Sequence, residues 1–306
     1  MVFLKEKPFK LDSQQSLIGY EVASLSDTGK LRVKNEDALG AFQFSLNRHQ
    51  NGIPLGLFMV ADGMGGCQAG DVAANIAVST VNQEITRQLP DITMYTDNEE
   101  AITKILEDSF RQAHRNIMSV PAYRKGMGTT LVAALVINGT AYIANVGDSR
   151  AYLINWSGLK QITTDHSLAW MLASRGQNKS EDVYPLPQRN LLLRSLGSGE
   201  ELVVDMFSEQ LAIGDEMLLC SNGLWEMARD EEIEDILHQN MTPLQKVQHL
   251  IDLANANGGV DNITVVIIKA TQLHSPVSNG FAVGNGMGAL SYCYGQQNNR
   301  GLFLSF

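Results

Sequence analysis

The segment Leu57-Phe58-Met59-Val60-Ala61-Asp62-Gly63-Met64-Gly65-Gly66 carries the strongest structural signal in the chain. Its first five residues are apolar, which predicts a strand buried on both faces, although a short apolar run alone does not exclude a buried helix. Asp62 follows at once, and the glycines behind it permit a sharp turn and a close backbone approach to a ligand. A carboxylate at a rigid strand tip suits a hard cation, which binds carboxylate and carbonyl oxygens. The alternative is that Asp62 is an ordinary turn residue.

The composition is that of an ordinary globular protein. The chain has 306 residues, of which 44% are hydrophobic and 18% charged, so it can form one large domain or two small ones. The formal net charge is −10, and no compact basic run offsets it. This balance argues against a general binder of nucleic acid or of membrane surfaces. We therefore expect no nucleic-acid partner and no membrane partner. A monomer is the separate expectation for the oligomeric state, which the sequence leaves open.

Cysteine usage and the absence of long apolar runs indicate the compartment. The three cysteines, Cys67, Cys220 and Cys293, are far apart in the chain, and fit neither a disulfide framework nor a zinc pattern. The first residues lack the apolar region of a signal peptide, and no run approaches the roughly 18 apolar residues of a membrane span. We expect a cytoplasmic protein with reduced thiols.

Strand-like segments occur in clusters, and pairs of helices follow them. Asn138-Gly139 between two apolar runs predicts a β-hairpin. Strands joined by hairpins and followed by helix pairs predict antiparallel sheets with helices packed outside, not alternating βαβ units. The predicted helices cover residues 69–88, 98–118, 168–174, 230–239 and 243–256. The predicted strands cover residues 18–24, 57–61, 129–137, 141–146, 151–154, 203–207, 217–220 and 262–269.

The chain divides into a lead-in, one domain and a tail. Residues 1–16 form the predicted lead-in and residues 17–271 the predicted domain. Residues 272–306 contain a single charged side chain, Arg300, and many glycines. This composition predicts a low-complexity, flexible tail, although its aromatic residues could also dock on the domain.

Four short motifs share one design: an apolar strand or turn, an acidic residue or its amide, and then a glycine or polar residue. They are Val60-Ala61-Asp62-Gly63, Val146-Gly147-Asp148-Ser149-Arg150, Leu219-Cys220-Ser221-Asn222-Gly223 and Gly259-Val260-Asp261-Asn262. If these ends converge, several carboxylates share one pocket and their repulsion requires compensation. Two divalent cations would supply it and would clamp the oxygens of an in-line displacement. Because the ligands are all oxygens, Mg²⁺ or Mn²⁺ is favoured over zinc.

A fifth acidic cluster, Asn35-Glu36-Asp37, follows Arg32 closely. An arginine fork can bind two oxygens of one phosphate, which fits a phosphoryl substrate. The alternative is that this charge run is simply a solvated face.

Taken together, these motifs resemble those of the type 2C (PPM-type) metal-dependent protein serine/threonine phosphatases, in their bacterial single-domain form. The segments that carry the resemblance are Arg32…Asn35-Glu36-Asp37, Ala61-Asp62-Gly63-Met64-Gly65-Gly66, Gly126-Met127-Gly128-Thr129-Thr130, Gly147-Asp148-Ser149-Arg150, Asp165-His166-Ser167 and Asp261-Asn262. The resemblance covers residues 17–270. It implies an α+β fold, a four-layer α-β-β-α sandwich with the metals at one edge of the two sheets. It also implies hydrolysis of phosphoserine and phosphothreonine by metal-bound water, without a phosphoenzyme.

Roles for individual residues also come from the resemblance. Arg32 and Asp62 would be the catalytic residues: Arg32 would hold the substrate phosphate and Asp62 would bridge two Mg²⁺ or Mn²⁺ ions. The Gly63 carbonyl would bind one ion and Asp261 the other. The substrates would be proteins phosphorylated by a serine/threonine kinase.

The remaining metal-site positions are implied in the same way. Glu36 and Asp37 would act through bound waters, and Asp148 matches a position linked to a third, weaker metal. Residues 168–190 match the variable flap beside the site.

Two positions depart from the family pattern. Met64 stands where eukaryotic relatives have a histidine proposed as the general acid, and a thioether cannot donate a proton. His166 is a conceivable donor, with a structural role as the alternative. Asn222 stands where the family has a metal-binding aspartate, which removes one negative charge from the cation site; Glu226 is a conceivable compensation. The alternative function is therefore a catalytically impaired relative that acts as a phosphoprotein-binding or regulatory module.

Overall fold

Two six-stranded antiparallel sheets form the centre of the computed structural model, which describes residues 18–48, 51–64, 69–94, 98–120, 126–174, 191–199, 201–272, 291–293 and 301–305. The strands are β1 (Ile18–Asp27), β2 (Ala38–Arg48), β3 (Asn51–Ala61), β4 (Gly63–Met64), β5 (Gly128–Thr129), β6 (Leu131–Ile137), β7 (Thr140–Val146), β8 (Arg150–Asn155), β9 (Gly158–Gln161), β10 (Asp205–Gln210), β11 (Glu216–Cys220), β12 (Ile263–Gln272), β13 (Ser291–Cys293) and β14 (Gly301–Ser305). The first sheet has the strand order β14-β1-β12-β11-β8-β9, and the second has the order β10-β7-β6-β3-β2-β13. Strands β4 and β5 pair separately.

Helices cover the outer faces of both sheets. They are α1 (Gly70–Arg87), α2 (Leu89–Met94), α3 (Glu99–Met118), α4 (Leu168–Ser174), α5 (Asn222–Trp225), α6 (Asp230–Leu237) and α7 (Pro243–Ala256). Apolar side chains of α1 and α3 pack on the second sheet. Those of α6 and α7 pack on the first sheet.

The predicted strand at residues 57–61 is the end of β3, and it is buried on both faces. Leu57 and Met59 belong to the layer shared with the outer helices. Phe58 and Val60 belong to the layer between the two sheets. Each such side chain contributes roughly 1.5–3 kcal/mol on burial. The prediction of a strand buried on both faces is therefore confirmed.

Three stacked apolar layers separate four layers of secondary structure. The innermost layer lies between the sheets, and one outer layer lies between each sheet and its helices. This is the α-β-β-α sandwich of mainly antiparallel sheets, and the predicted α+β fold class is confirmed.

The hairpin prediction is also confirmed. Strands β6 and β7 pair in antiparallel register, and Asn138 and Gly139 connect them with φ angles of 47° and 84°. A type I′ turn requires positive φ at both central residues, and Asn-Gly tolerates it best.

The predicted boundaries differ from the observed ones at two places. The helix predicted at residues 69–88 is observed as α1, Gly70–Arg87, and Pro90 lies in the first turn of a separate short helix, α2, that the sequence did not predict. Proline is tolerated there because a first-turn N–H has no intrahelical acceptor. The strand predicted at residues 203–207 begins at Asp205 instead and ends at Gln210.

Several predicted segments lie wholly or partly outside the described residues. The lead-in at residues 1–16 and most of the flap, residues 175–190, are among them. Within the tail, β13 pairs with β2 and β14 pairs with β1. No helix in the described part of the chain is both long and apolar enough to cross a membrane.

Candidate active site

The antiparallel pairing brings the four acidic motifs to one end of the sandwich. The end of β3, the end of β7, the end of β11 and the beginning of β12 all lie there. A cavity of about 280 Å³ opens between them. Its lining comprises Arg32, Glu36, Asp62, Gly63, Met64, Asp148, Leu192, Asn222, Asp261 and Asn262.

Asp62 occupies the tip of β3 and is fixed through its backbone. Its N–H donates to Thr130 Oγ1 at 3.0 Å, and its carbonyl accepts from the Thr130 N–H and from Thr129 Oγ1, both at 2.9 Å. Burial raises the pKa of its carboxyl well above the usual range. The neighbouring charges of Asp37 and Asp148, and then Asp261, raise this pKa further. A carboxylate in this position gains from a bound cation.

Asp37 lies directly behind the cavity wall. Its Oδ2 accepts hydrogen bonds from Ser221 Oγ at 2.8 Å and from Thr264 Oγ1 at 2.6 Å. Burial raises the pKa of Asp37 to about 7, against the lowering effect of these two bonds. Its Oδ1 is buried and has no hydrogen-bond partner among the described residues.

Asp148 and Asn222 each present another buried oxygen without a partner. Within the described part of the chain, neither the Oδ1 atom of Asp148 nor that of Asn222 accepts a hydrogen bond. Burial raises the pKa of Asp148 to about 7, helped by the charges of Asp165 and Glu226. Buried polar atoms are normally satisfied, so an unpaired group requires an explanation such as an ion or water.

Arg32 and Asp261 face each other at the mouth of the cavity. Arg32 Nη2 donates to Asp261 Oδ2 at 2.7 Å, and the arginine side chain is half exposed. This hydrogen bond raises the pKa of Arg32. The other carboxylate oxygen of Asp261 accepts the Asn262 N–H at 2.8 Å. A guanidinium at a cavity mouth can bind an incoming phosphate.

Asn262 is a functional candidate to which the sequence assigned no role. Its Oδ1 accepts the Glu36 N–H at 2.8 Å, and its Nδ2 donates to the Thr28 and Lys34 carbonyls at 3.0 Å each. The segment that carries Arg32 and Glu36 is therefore clamped on the start of β12. In the sequence, Asn262 stands out only as the second residue of the Asp261-Asn262 motif.

Two glycines allow the backbone contacts behind the site. A Cβ atom on Gly63 would lie 2.3 Å from the Gly70 carbonyl oxygen and 2.5 Å from that of Glu36. A Cβ atom on Gly223 would lie 2.0 Å from the Asn262 carbonyl oxygen. No side chain fits at these distances, so close packing of these segments requires glycine.

The two residues considered for proton donation lie in different places. Met64 lines the cavity. His166 is buried away from the lining, where its Nδ1 accepts the Gly147 N–H at 3.1 Å and its Nε2 contacts Asp205 Oδ2 at 3.0 Å. Burial lowers the pKa of His166. These contacts favour the structural role for His166. Glu226 is likewise absent from the lining.

The donor set of the cavity fits a hard divalent cation. It combines carboxylates, the Asn222 amide oxygen and the Gly63 backbone, and oxygens of these kinds suit Mg²⁺ or Mn²⁺. Among the described residues, no three His, Cys, Asp or Glu side chains are gathered tightly enough to hold an ion by themselves. Amide, carbonyl and water oxygens would therefore complete the coordination.

Known proteins with related sequences point to the same chemistry. A family model described as Protein phosphatase 2C matches residues 23–169. The serine/threonine phosphatase stp of Listeria monocytogenes is 37% identical over 247 residues, which cover 80% of this chain and 93% of the relative. The protein phosphatase PhpP of Streptococcus pneumoniae is 34% identical over 254 residues, covering 82% and 98%.

Solved structures agree. The serine/threonine phosphatase of S. agalactiae superimposes with a TM-score of 0.71 at 31% identity, covering 82% of this chain and 99% of that one. The catalytic domain of the phosphatase PstP, solved with two manganese ions, gives a TM-score of 0.68 at 28% identity, covering 83% and 99%. These relatives give no support to the alternative of an impaired regulatory module. The chain belongs to the protein phosphatase 2C family of serine/threonine phosphatases.

Proposed function

We propose that this protein removes phosphate from phosphoserine and phosphothreonine in proteins, with Mg²⁺ or Mn²⁺ held in the cavity at the end of the sandwich. The substrates would be proteins phosphorylated by a serine/threonine kinase. The observation that carries the proposal is the concentration of buried acidic groups beside Arg32. Asp62 experiences the charges of Asp37, Asp148 and Asp261 at once. Such an arrangement is costly unless cations neutralise it.

Each predicted ligand has a definite place in this proposal. The carboxylates of Asp62 and Asp261, the Asn222 amide oxygen and the Gly63 carbonyl would hold the two ions. Glu36 and Asp37 would act through bound waters, and Asp148 would serve a third, weaker site. When bound, the ions would activate the attacking water and neutralise charge on the phosphoryl group.

Arg32 would position the substrate. Its guanidinium lies at the cavity mouth and is half exposed, so a phosphate can reach it from solvent. On substrate binding, Arg32 would exchange part of its contact with Asp261 for two phosphate oxygens. A planar fork matched to two oxygens fixes the orientation of the phosphate as well as its location.

Water, or a group other than Met64 and His166, would protonate the leaving oxygen. Met64 lines the cavity but carries no proton to donate. His166 is committed to Gly147 and Asp205. Within the described residues, the cavity lining therefore offers no imidazole for this step.

Asn222 would lower metal affinity without removing the site. Its amide oxygen is buried and unpaired, so it can still act as a neutral ligand. It contributes less charge than the aspartate of the family pattern. We expect an enzyme that requires a higher metal concentration than an Asn222→Asp variant.

The test is phosphate release from a phosphothreonine peptide during a Mn²⁺ titration. The wild-type chain is expected to release phosphate only with Mn²⁺. Asn222→Asp is expected to reach half-maximal activity at roughly 10–100-fold lower Mn²⁺. Asp62→Asn is expected to lose at least about 100-fold in rate, because it removes a negative charge that would hold the ions. Asp252→Asn, on an exposed carboxylate of α7, is the matched control.

Three results would count against the proposal. The first is a wild-type chain and an Asn222→Asp variant that both release no phosphate with Mn²⁺. The second is an Asp62→Asn variant as active as the wild type. The third is activity in Asn222→Asp alone, which would revive the regulatory alternative.

A further inference from the structure

A short segment beside the cavity alternates cationic and apolar side chains. This segment, Lys30-Leu31-Arg32-Val33-Lys34, is called here the 30–34 loop and connects β1 with β2. Arg32 turns towards Asp261 at the cavity mouth. Leu31 is 69% exposed and Val33 is fully exposed. Two aliphatic side chains, one on each side of Arg32 in the chain, are therefore exposed to solvent next to the arginine that would hold the phosphate.

Hydrogen bonds and an ion pair hold the backbone of the 30–34 loop in place. The N–H groups of Lys30 and Leu31 donate to the Gly259 carbonyl at 2.7 Å and 3.3 Å. The Lys34 carbonyl accepts from Asn262 Nδ2 at 3.0 Å, and Lys34 Nζ pairs with Asp71 at 2.6 Å. The 30–34 loop is thus held at both ends, which fixes the direction in which Leu31 and Val33 project.

Single exposed apolar residues are common on protein surfaces and need no functional explanation. This case differs because the apolar residues cluster beside the proposed site. Val260, next to Asp261 in the chain, is also exposed, to 37%. Together with Leu31 and Val33 it places apolar surface around the Arg32–Asp261 pair.

The charge of the loop points to an anionic occupant. The whole chain carries a net charge of −10, yet Lys30, Arg32 and Lys34 place three cations within five residues. Arg32 lines the cavity and pairs with Asp261, and Lys34 pairs with Asp71. A phosphorylated peptide complements this surface, because its phosphate meets the cations while a neighbouring side chain meets Leu31 or Val33. Complementary charge of this kind guides association and orients the bound partner.

We propose that Leu31 and Val33 form a docking surface for an apolar side chain next to the phosphorylated residue of the substrate. The inference rests on the proposed phosphatase function and names its preferred substrates: phosphoserine or phosphothreonine segments flanked by aliphatic residues. Leu31 and Val33 are the chain neighbours of Arg32, each about 3.8 Å away between Cα atoms. A neighbouring residue of an extended peptide is displaced by about 3.3 Å.

The experiment compares two phosphothreonine peptides that are identical except for leucine or glycine on both sides of the phosphothreonine. Hydrolysis of p-nitrophenyl phosphate, which has no flanking residue, is the reference for each enzyme preparation. The wild-type chain is expected to favour the leucine peptide by about 5- to 10-fold in kcat/KM, mainly through KM. In the double variant Leu31→Ser/Val33→Ser the preference is expected to fall to about 1- to 2-fold.

Ile213→Ser is the matched control. Ile213 is also an exposed aliphatic residue, at 52%. It lies between β10 and β11, at the opposite end of the sandwich from the cavity. This variant is expected to keep the full preference for the leucine peptide.

Three outcomes would overturn the proposal. An unchanged peptide preference in the double variant, with p-nitrophenyl phosphate still hydrolysed, would overturn the docking surface alone. A wild-type chain that hydrolyses neither the peptides nor p-nitrophenyl phosphate would overturn the proposed function with it. If analytical ultracentrifugation shows that the wild type is a dimer and the double variant a monomer, the 30–34 loop contacts a second copy of the chain and not the substrate.

Discussion

Asn262 links the start of β12 to the segment that carries Arg32, the proposed phosphate-binding residue. Each polar atom of its side chain amide makes a hydrogen bond to the backbone: Oδ1 to Glu36, and Nδ2 to Thr28 and Lys34. The side chain is 5% exposed. These bonds hold Arg32 and Glu36 in place through their own backbone, so Asn262 is a positioning residue in the proposed mechanism.

Replacing Asn262 by alanine is predicted to weaken substrate binding and stability together. The change leaves three backbone groups without their partner, so the free energy of unfolding should fall by about 1–3 kcal/mol. Arg32 would lose its fixed position, and KM for a phosphothreonine peptide should rise by about 10-fold. Steady-state kinetics and urea denaturation measure the two effects.

Asn116→Ala is the control for Asn262→Ala. Asn116 donates to Thr80 at 3.0 Å between α1 and α3, far from the cavity lining. Its loss should lower stability and leave KM unaffected. If Asn262→Ala lowers stability with the same KM as the wild type, its role is only structural.

The sequence identified most of the proposed site at the scale of single residues, because the acidic motifs adjoin recognisable strands: Asp62 and Asp148 follow β3 and β7, and Asp261 precedes β12. It did not identify the role of Asn262. The Glu36 N–H that this side chain binds lies 226 residues earlier in the chain. No local pattern reports such a partner. The sequence also could not predict the burial that raises the pKa of Asp37 to about 7, because this burial depends on the folded structure.

At the scale of elements, α5 depends on contacts outside itself. It spans only Asn222–Trp225, and a single helical turn is not stable alone. Trp225 Nε1 donates to the Asp148 carbonyl at 3.0 Å. The Arg150 guanidinium lies 3.7 Å from the centre of the Trp225 ring and is bound by Asp165. Trp225 thereby fixes Asn222 relative to Asp148.

Trp225→Phe is predicted to loosen the metal site while it keeps an aromatic ring under Arg150. Loss of the indole N–H leaves the Asp148 carbonyl unpaired, so the free energy of unfolding should fall by about 1 kcal/mol. The Mn²⁺ concentration for half-maximal activity should rise by about 10-fold, as for other groups that support metal ligands. A Mn²⁺ titration of phosphatase activity measures this change.

Trp156→Phe provides the comparison, since Trp156 is almost fully exposed in the turn between β8 and β9. It should affect neither the Mn²⁺ titration nor stability. An unaltered Mn²⁺ requirement in Trp225→Phe would show that the bond to Asp148 does not support the metal site.

Long periodic segments were predictable, and elements of only two to four residues were not. The helix predicted at residues 98–118 is observed as Glu99–Met118, because its apolar stripe repeats over five turns. Helix α5 and strands β4 and β5 have two to four residues each. Such segments show no measurable period. They form because the tertiary structure holds them, and β4 and α5 supply Gly63, Met64 and Asn222 to the cavity lining.

At the scale of the whole molecule, the buried carboxyls make stability depend on pH. Burial raises the pKa of Asp37 and of Asp148 to about 7 each. In the unfolded chain these groups titrate near pH 4. Between about pH 4 and 7 the folded form therefore holds more protons than the unfolded form. Without metal, stability is predicted to fall as pH rises through this window.

Urea denaturation in the presence of a chelator, between about pH 5 and 8, tests this prediction. Each carboxyl should contribute a slope of at most about 1.4 kcal/mol per pH unit. Asp148→Asn should flatten the dependence. Added Mn²⁺ should reverse it, because cations bind the deprotonated carboxylates. A metal-free protein that gains stability over the same range would contradict the pKa direction.

The proposed ligands come from both halves of the sandwich. Asp62 and Asp148 follow strands of the second sheet, whereas Asn222 and Asp261 adjoin strands of the first. The gap between the two groups is consequently set by the thickness of the apolar layer between the sheets, about 10 Å from backbone to backbone. Side chains such as Phe58 and Val266 fill that layer. They would therefore set the distance between the two groups of proposed ligand oxygens. In the proposed mechanism, their volume would therefore affect how well a small ion fits between the ligands of the two sheets.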